Sequence, residues 1–182
     1  HIRQCPLFLV WIADLSRLDR NAQALGETAA ANRYLEMFLV AAIDAALAAQ
    51  NAALAAESMG LGTVYIGAMR NRPEEVAAEL GLPPDAVAVF GLCVGYADPV
   101  KLSGVKPRLP QSVVLHRERY GTEGEREAVA GYDAAMRAFQ AAQNMTDLDW
   151  SRRSAARVAG PQSLSGRDRL REALSALGFG LA

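Results

Sequence analysis

The segment YLEMFLVAAIDAALAAQNAALAAES, which occupies residues 34–58, predicts the central element of the fold. It consists of strong helix formers and contains neither Gly nor Pro. The residues that follow, Met59-Gly60-Leu61-Gly62, predict a left-handed end to the helix. A single helix of about 25 residues would be about 37 Å long, enough to cross a small domain.

Most positions of this helix are apolar, and many are Ala. The polar side chains fall within an arc of about 140° when successive residues are placed about 100° apart; they are Glu36, Asp44, Gln50, Asn51 and Glu57. So narrow a polar face predicts a helix that is buried on most sides. The length also allows a membrane span, which the charge of Asp44 in mid-helix argues against, and a core helix without a chemical role is the simplest alternative.

Composition indicates a soluble globular protein. The chain has 182 residues, 51% of them hydrophobic and 21% charged, which suits one domain. The net charge of −1 argues against nucleic acid or a membrane surface as a partner. Cys5 and Cys93 lack the spacing of a disulfide framework, so a reduced, cytoplasmic compartment is expected. His1 and His116 have no partners at metal-ligand spacing, and no metal site is expected.

The chain begins His1-Ile-Arg-Gln-Cys-Pro and enters an apolar run at once, without an initiator Met. From this we expect it to be part of a longer polypeptide.

Further strands and helices alternate along the chain. Strands are predicted at 7–13, 63–67 and 86–95, with a short edge strand at 112–120. Helices are predicted from Asn71 to Leu80 and over 125–142, 150–158 and 167–177. This alternation predicts a layered α/β or α+β domain and leaves the strand order open.

Three segments could bind an anionic or planar ligand. Tyr65-Ile66-Gly67-Ala68 puts a Gly at the end of a strand, where a ligand can approach the main chain; an ordinary turn is the alternative. Lys106-Pro107-Arg108 places two cations on a Pro-stiffened loop, which could hold a phosphate or lie in solvent. Arg167 follows Ser165-Gly166 and could face an anion or solvent.

Taken together, these segments resemble a known family. The blocks AQNAALAAESMGLGTVYIG at 49–67, FGLCVG at 90–95 and KPRLP at 106–110 closely resemble the flavin-dependent nitroreductases. The subgroup is the NADPH-linked one, which contains oxygen-insensitive nitroreductase A and the flavin reductase P type. The similarity extends over about residues 1–132 and continues weakly to the C-terminus.

The resemblance implies a fold and an assembly. It implies a single α+β domain over 1–182, truncated at its N-terminus, with 121–182 as a helical C-terminal extension. A central, mostly antiparallel sheet would be flanked by helices, and the long helix would pack against its twin in a homodimer. FMN would lie in a cleft at the dimer interface.

The resemblance also implies roles for particular residues. The backbone of Tyr65, Ile66, Gly67 and Ala68 would meet the flavin. Lys106 and Arg108 would reach its ring and phosphate end. Glu36 would approach the ring from the partner subunit, and Arg167 would line the substrate pocket.

The implied function is that of an FMN-dependent NAD(P)H oxidoreductase. NADPH or NADH would reduce FMN and leave, and a small nitroaromatic or quinone would then take two electrons. Two alternatives stay open: a flavin reductase that supplies free reduced flavin, and a binding protein that kept the fold and lost FMN.

Two features depart from the family pattern. The basic Arg-Ser-x-Arg motif that grips the FMN phosphate is absent from this chain. The loop at 143–149, basic in the subgroup, reads QNMTDLD and is acidic here. This predicts a weaker preference for NADPH, or the use of a different donor, unless Arg152 or Arg153 takes over contact with the 2′-phosphate.

Overall fold

The secondary structure is of the α+β class, as predicted. The computed structural model describes residues 2–100 and 104–182. The strands in this part of the chain are β1 (Leu7–Asp14), β2 (Gly62–Ile66) and β3 (Ala86–Gly95). The α-helices are α1 (Ser16–Ala24), α2 (Leu35–Ser58), α3 (Pro73–Leu80), α4 (Gln111–Val114), α5 (Glu125–Ala142), α6 (Trp150–Arg157) and α7 (Leu170–Ala176). Short 3₁₀ turns lie at Ala30–Arg33, Gly67–Asn71, Pro161–Leu164 and Arg167–Arg169.

The three strands form one antiparallel sheet with β3 in the centre and β1 and β2 on either side. Strand β3 is long and buried on both faces, which its continuous apolar sequence predicts. Its pairing with β2 ends at Ile66 opposite Gly91. On the other side, the register with β1 shifts between Trp11 and Ile12, so that Val89 is an extra residue in β3.

Helix α2 packs against one face of this sheet. Its buried residues are Ala45, Ala49, Ala53 and Ala56, which recur at helical spacing and form one narrow stripe. The C-terminal part of the stripe, Ala53 and Ala56, packs against Leu92 and Val94 of β3. Because Ala has a short side chain, the helix can approach the sheet closely.

Within one chain, α2 is not buried on most sides, and in this respect the prediction from its narrow polar arc is wrong. An arc of about 140° carries large apolar side chains that are more than a third exposed: Leu35, Leu39, Val40, Ile43, Leu47 and Leu54. The rest of the first unit covers the stripe of Ala residues and, in part, Met37, Phe38, Ala41 and Ala42. A narrow polar arc shows that few positions of α2 are polar. It does not show which of the apolar positions are covered within one chain.

By length and composition alone, α2 could cross a membrane, with a mean hydropathy of 1.6 over its most apolar window. This is weak evidence, because central helices of soluble proteins meet the same criterion.

The described residues group into two compact units. The first contains the chain up to Ala97 together with Ser165–Ala182, and the second contains Asp98–Leu164. The helical extension predicted over 121–182 remains a prediction. The final helix returns to the first unit, where Phe179 packs edge-on against Phe38 with ring centroids 5.3 Å apart. The single-domain organisation remains a prediction.

The second unit is built around α5. Buried Asp133 of α5 accepts hydrogen bonds from Ser151 of α6, from the backbone N–H at 3.0 Å and from Oγ at 2.5 Å. Buried Gln140 bonds both the N–H and the C=O of Leu148 at 3.0 Å. These contacts fix the connection between α5 and α6.

The strand predicted at 112–120 is wrong. Residues Gln111–Val114 form α4, and the N–H of Leu115 donates to the C=O of Gln111 at 2.8 Å. Pro110, with φ of −56°, precedes this turn of helix. Backbone N–H and C=O groups that a strand would pair with a neighbouring strand are thus hydrogen-bonded within this turn of helix.

The two cysteines, which the sequence presents as unrelated, are neighbours in the first unit. Both are free thiols; Cys93 is buried and Cys5 is half-buried. Burial, and then the neighbouring Cys5 thiol, raise the pKa of Cys93.

Candidate cofactor site

The end of β2 presents open main chain. Strand β2 pairs with β3 on one side only, so on its outer side alternate N–H and C=O groups face away from the sheet. Ile66 is buried in the first unit, whereas Tyr65 is 44% exposed. The chain then turns through Gly67–Asn71. A planar ligand could therefore reach the backbone of residues 65–68 without displacing a core side chain.

Two neighbours orient the Tyr65 side chain. Its hydroxyl donates to Oε1 of Gln50 on α2, at 3.4 Å. Its ring packs edge-on against Phe90 of β3, with centroids 5.5 Å apart. Gln50 had been noted only as part of the polar arc of α2, and its place beside Tyr65 depends on the packing of the helix on the sheet.

Arg70 closes the turn after β2. Its guanidinium donates a hydrogen bond to the C=O of Val89, the extra residue in β3. The same guanidinium lies over Gly67: a Cβ built on Gly67 would be 3.3 Å from Nη2 of Arg70. Burial, and then the positive charge of Arg167, lower the pKa of Arg70 below its ordinary value. Sequence analysis did not select Arg70 as a site residue.

Arg167 lies in the first unit, close to the same turn. A Cβ built on the preceding Gly166 would be 3.0 Å from the backbone oxygen of Asn71, at the end of the 3₁₀ turn. The electrostatic interaction with Arg70 places both guanidinium groups in one neighbourhood. Two cationic side chains thus lie near the end of β2, and such groups can contact a ligand with anionic groups.

An open cavity of about 660 Å³ adjoins the turn from the side of β1 and α3. Its walls include Ala68 and Met69 of the turn and Phe8 and Val10 of β1. Phe8 reaches across β3, where a Cβ on Gly91 would come within 2.1 Å of its ring. The close approach of the Phe8 ring explains why position 91 is a Gly. Ala68, which is exposed, borders the cavity.

The remaining predicted site residues are Lys106, Arg108 and Glu36. Lys106 and Arg108 belong to the second unit, and both are exposed. Between them, the C=O of Pro107 accepts a hydrogen bond from the Tyr132 hydroxyl at 3.0 Å, which fixes this loop on α5. Glu36 is exposed in the first turn of α2. The structure thus brings Tyr65, Ile66, Gly67, Ala68 and Arg167 into one region of the first unit, and the roles of Lys106, Arg108 and Glu36 remain predictions.

No group of three or more His, Cys, Asp or Glu that could hold a metal ion is found in the described ranges 2–100 and 104–182.

These residues fit a flat heterocycle with anionic substituents. The outer edge of β2 offers unpaired backbone groups, and the guanidinium groups of Arg70 and Arg167 lie near its end. Exposed Tyr65 and Ala68 border the same surface.

Comparison with known proteins places the chain in one family. The model of the nitroreductase family matches residues 1–96, and that of the nitroreductase family, C-terminal domain, matches residues 106–182. An NADPH-flavin oxidoreductase of Vibrio harveyi is 41% identical over 165 residues, which is 88% of this chain and 64% of that protein. An FMN reductase (NADPH) of Bacillus subtilis is 46% identical over 129 residues, 69% of this chain and 51% of that protein. The chain thus spans about half to two thirds of the length of these curated relatives.

Solved structures give the same result. The structure of B. megaterium NfrA2 superposes with a TM-score of 0.90 at 36% identity, covering 100% of this chain and 72% of that one. The NADPH:FMN oxidoreductase of Vibrio harveyi, complexed with NAD+, superposes with a TM-score of 0.82 at 34% identity, covering 98% of this chain and 70% of that one. Because sequence and fold agree over most of its length, the chain belongs to the nitroreductase family.

Proposed function

We propose that the protein is an FMN-dependent oxidoreductase that takes electrons from NADPH or NADH and passes them to a small organic acceptor. Relatives named NADPH-flavin oxidoreductase, FMN reductase (NADPH) and oxygen-insensitive NADPH nitroreductase support this, at 38–46% identity. The structural observation that carries it is the unpaired outer edge of β2, which ends in exposed Tyr65 and Ala68 beside Arg70 and Arg167.

In this proposal the protein binds and orients, and FMN provides the redox chemistry. Bound FMN would accept and donate hydride, which no amino-acid side chain does. The backbone of residues 65–68 would hold the ring at the sheet edge. Lys106 and Arg108 would hold the phosphate and stabilise negative charge at the ring. Arg167 would line the pocket in which donor and acceptor are held in turn.

A homodimer is part of the proposal. The exposed apolar side of α2 is more extensive than isolated surface Leu residues, and six large side chains along it are more than a third exposed. A second copy of the same helix would cover this surface and bring Glu36 of the partner subunit to the ring. A dimer of this kind functions in the cytoplasm, without nucleic acid or a membrane as partner.

Nitroaromatics and quinones are the proposed acceptors. A flavin reductase is the second candidate, and it is favoured by the names of the Bacillus subtilis and Vibrio harveyi relatives. The two activities share a site and differ in the second substrate. Steady-state rates with a nitrofuran, a benzoquinone and free FMN, each under NADPH, separate them by kcat/KM.

The donor preference depends on the acidic loop at 143–149. Asp149 in this loop forms ion pairs with Arg137 and, at 3.7 Å, with Arg152. Arg152 is thus engaged with a carboxylate, and Arg153 next to it is exposed. We propose a weak preference for NADPH, in which Arg153 is the cation for a 2′-phosphate. Comparing kcat/KM for NADPH and NADH tests this; a strong NADPH preference that survives Arg153→Ala would contradict it.

The test of the proposed function is direct. The protein purified from its complete reading frame should bind FMN, absorb near 450 nm and be bleached by NADPH or NADH under anaerobic conditions. A colourless protein that refuses added FMN would favour the remaining alternative, a binding protein that kept the fold and lost the cofactor.

A further inference from the structure

We infer that Arg70 is a positioning residue of the cofactor site: it ties the Gly67–Asn71 turn to the central strand and thereby places the backbone atoms of Gly67 and Ala68. This inference rests on the proposed function, because those atoms matter only if they hold a ligand. Its basis lies in three contacts of one guanidinium group.

The first contact is with the irregularity in β3. Val89 is the extra residue at the register shift, where pairing with β1 is interrupted. On the other side, β2 has already ended, because its last pair joins Ile66 to Gly91. Val89 is buried, and a buried carbonyl without a donor costs free energy. Arg70 provides the donor and so continues the hydrogen bonding of the sheet edge beyond the last residue of β2.

The second contact is with the turn itself. The guanidinium lies against the Cα of Gly67, with Nη2 at 3.3 Å and Cζ at 3.9 Å from where a Cβ would be. Gly67 is thus the residue that allows Arg70 to fold back onto β3. Because the guanidinium contacts Gly67 and is also hydrogen-bonded to β3, it limits how far the turn can move relative to the sheet.

The third contact is electrostatic. Arg70 is held near the like charge of Arg167, and both repulsion and burial act against its charged form. A neutral donor would satisfy the carbonyl of Val89 without this cost. A ligand with anionic groups bound beside the turn would offset this repulsion.

The experiment compares four variants in the protein as expressed from its complete gene. Arg70→Met removes the hydrogen bond and the charge, and Arg70→Lys keeps the charge without the planar fork. Arg72→Met is the matched control, since exposed Arg72 lies two residues away and pairs at 3.4 Å with Glu75 of α3. Val87→Ala, at a buried position of the core, controls for general loss of stability. The measurements are FMN affinity by fluorescence titration, the visible circular dichroism of bound FMN and the melting temperature of the FMN-free protein.

We expect Arg70→Met to raise the Kd for FMN by about tenfold or more, and to change the visible dichroism at saturating FMN. Arg70→Lys should lie between Arg70→Met and the wild type. Arg72→Met should match the wild type, and Val87→Ala should melt earlier while its Kd and dichroism stay unchanged. If Arg70→Met does not fold, Arg70→Lys alone decides, because it should still alter the dichroism.

Two different failures are distinguishable. A wild-type protein that does not bind FMN refutes the proposed function and removes the basis of the inference. A wild-type protein that binds FMN, with Arg70 variants of unchanged Kd and dichroism, refutes only the role of Arg70. The same holds if the Arg70 variants merely melt earlier, as Val87→Ala does.

Discussion

Arg169 and Glu74, which are 95 positions apart in the sequence, form a two-pronged ion pair in the first unit, with Nη2–Oε1 at 2.6 Å and Nη1–Oε2 at 3.2 Å. The pair joins the 3₁₀ turn before α7 to the first turn of α3. Two hydrogen bonds from one guanidinium to one carboxylate are stronger and more specific than a single contact. It therefore helps to return the C-terminal residues to the sheet-containing unit.

This pair predicts a pH-dependent contribution to stability. Hydrogen bonding to Arg169 lowers the pKa of Glu74. A lowered pKa in the folded state means that the contribution is present above the pKa of the unfolded chain and is lost as the pH falls through the folded value. Glu74→Gln should therefore melt earlier than wild type at pH 7, and the difference should shrink towards pH 3. Glu75→Gln, whose carboxylate is mostly exposed, is the control; equal effects of both substitutions would contradict this role of Glu74.

The apolar side of α2 predicts an effect on assembly. Leu47 is 62% exposed in the single chain, and an Asp there would place a charge in the proposed helix–helix interface. Leu47→Asp should shift the protein from dimer to monomer in sedimentation velocity, or lower its solubility. Leu25→Asp adds the same charge at an exposed Leu outside α2, which is 71% exposed, and should remain dimeric. A wild-type chain that sediments as a stable folded monomer would exclude the dimer.

The loop at 106–108 predicts an effect on FMN retention. Lys106→Ala combined with Arg108→Ala should weaken FMN binding, because a hydrogen bond to a charged group contributes about 1.5–3 kcal/mol. Arg117→Ala with Arg119→Ala removes the same charge from exposed positions of the same unit and serves as the control. Isothermal titration with FMN measures both. Equal affinities in the two double variants would remove Lys106 and Arg108 from the site.

The neighbouring thiols predict unequal reactivity. Burial and the Cys5 thiol raise the pKa of Cys93, so less thiolate is available there. With Ellman's reagent at pH 8, one thiol should react quickly in the folded protein and the second only in denaturant. In Cys5→Ser the fast phase should disappear. Rapid reaction of both thiols would contradict the buried position of Cys93.

The raised pKa of Cys93 also means that the stabilising contribution of its thiol is lost as the pH rises through the folded pKa.

Elements with strong local patterns were predictable from the sequence. The strand at 86–95 and the helix at 125–142 have the predicted bounds, because an unbroken apolar run and a Gly before a run of helix formers decide them locally. The left-handed stop after α2 is also confirmed, with Gly60 at φ of +78°. The segment at 112–120 failed because its β-branched residues follow Pro110, and a single turn of helix there satisfies the backbone.

The candidate site was predictable in part for the same reason. The Gly directly after a predicted strand indicates that a ligand could approach the main chain of residues 65–68, and this pattern is visible in the sequence. The contact between Arg70 and Val89 could not be predicted from the sequence. It depends on which residue of β3 is extra in the pairing with β1 and on where the pairing of β2 with β3 ends. Both follow from the register of the sheet, which is set by packing across residues distant in sequence.

The strand order also bears on how the chain folds during synthesis. In the described sheet, β1 and β2 each pair with β3 and not with each other, although β3 is the last of the three to leave the ribosome. Until residue 95 has emerged, the two earlier strands have no hydrogen-bonding partner, and only local helices such as α2 can form. The nascent chain must therefore carry unpaired strands and an uncovered apolar helix for several seconds, at translation rates of about 5–20 residues per second.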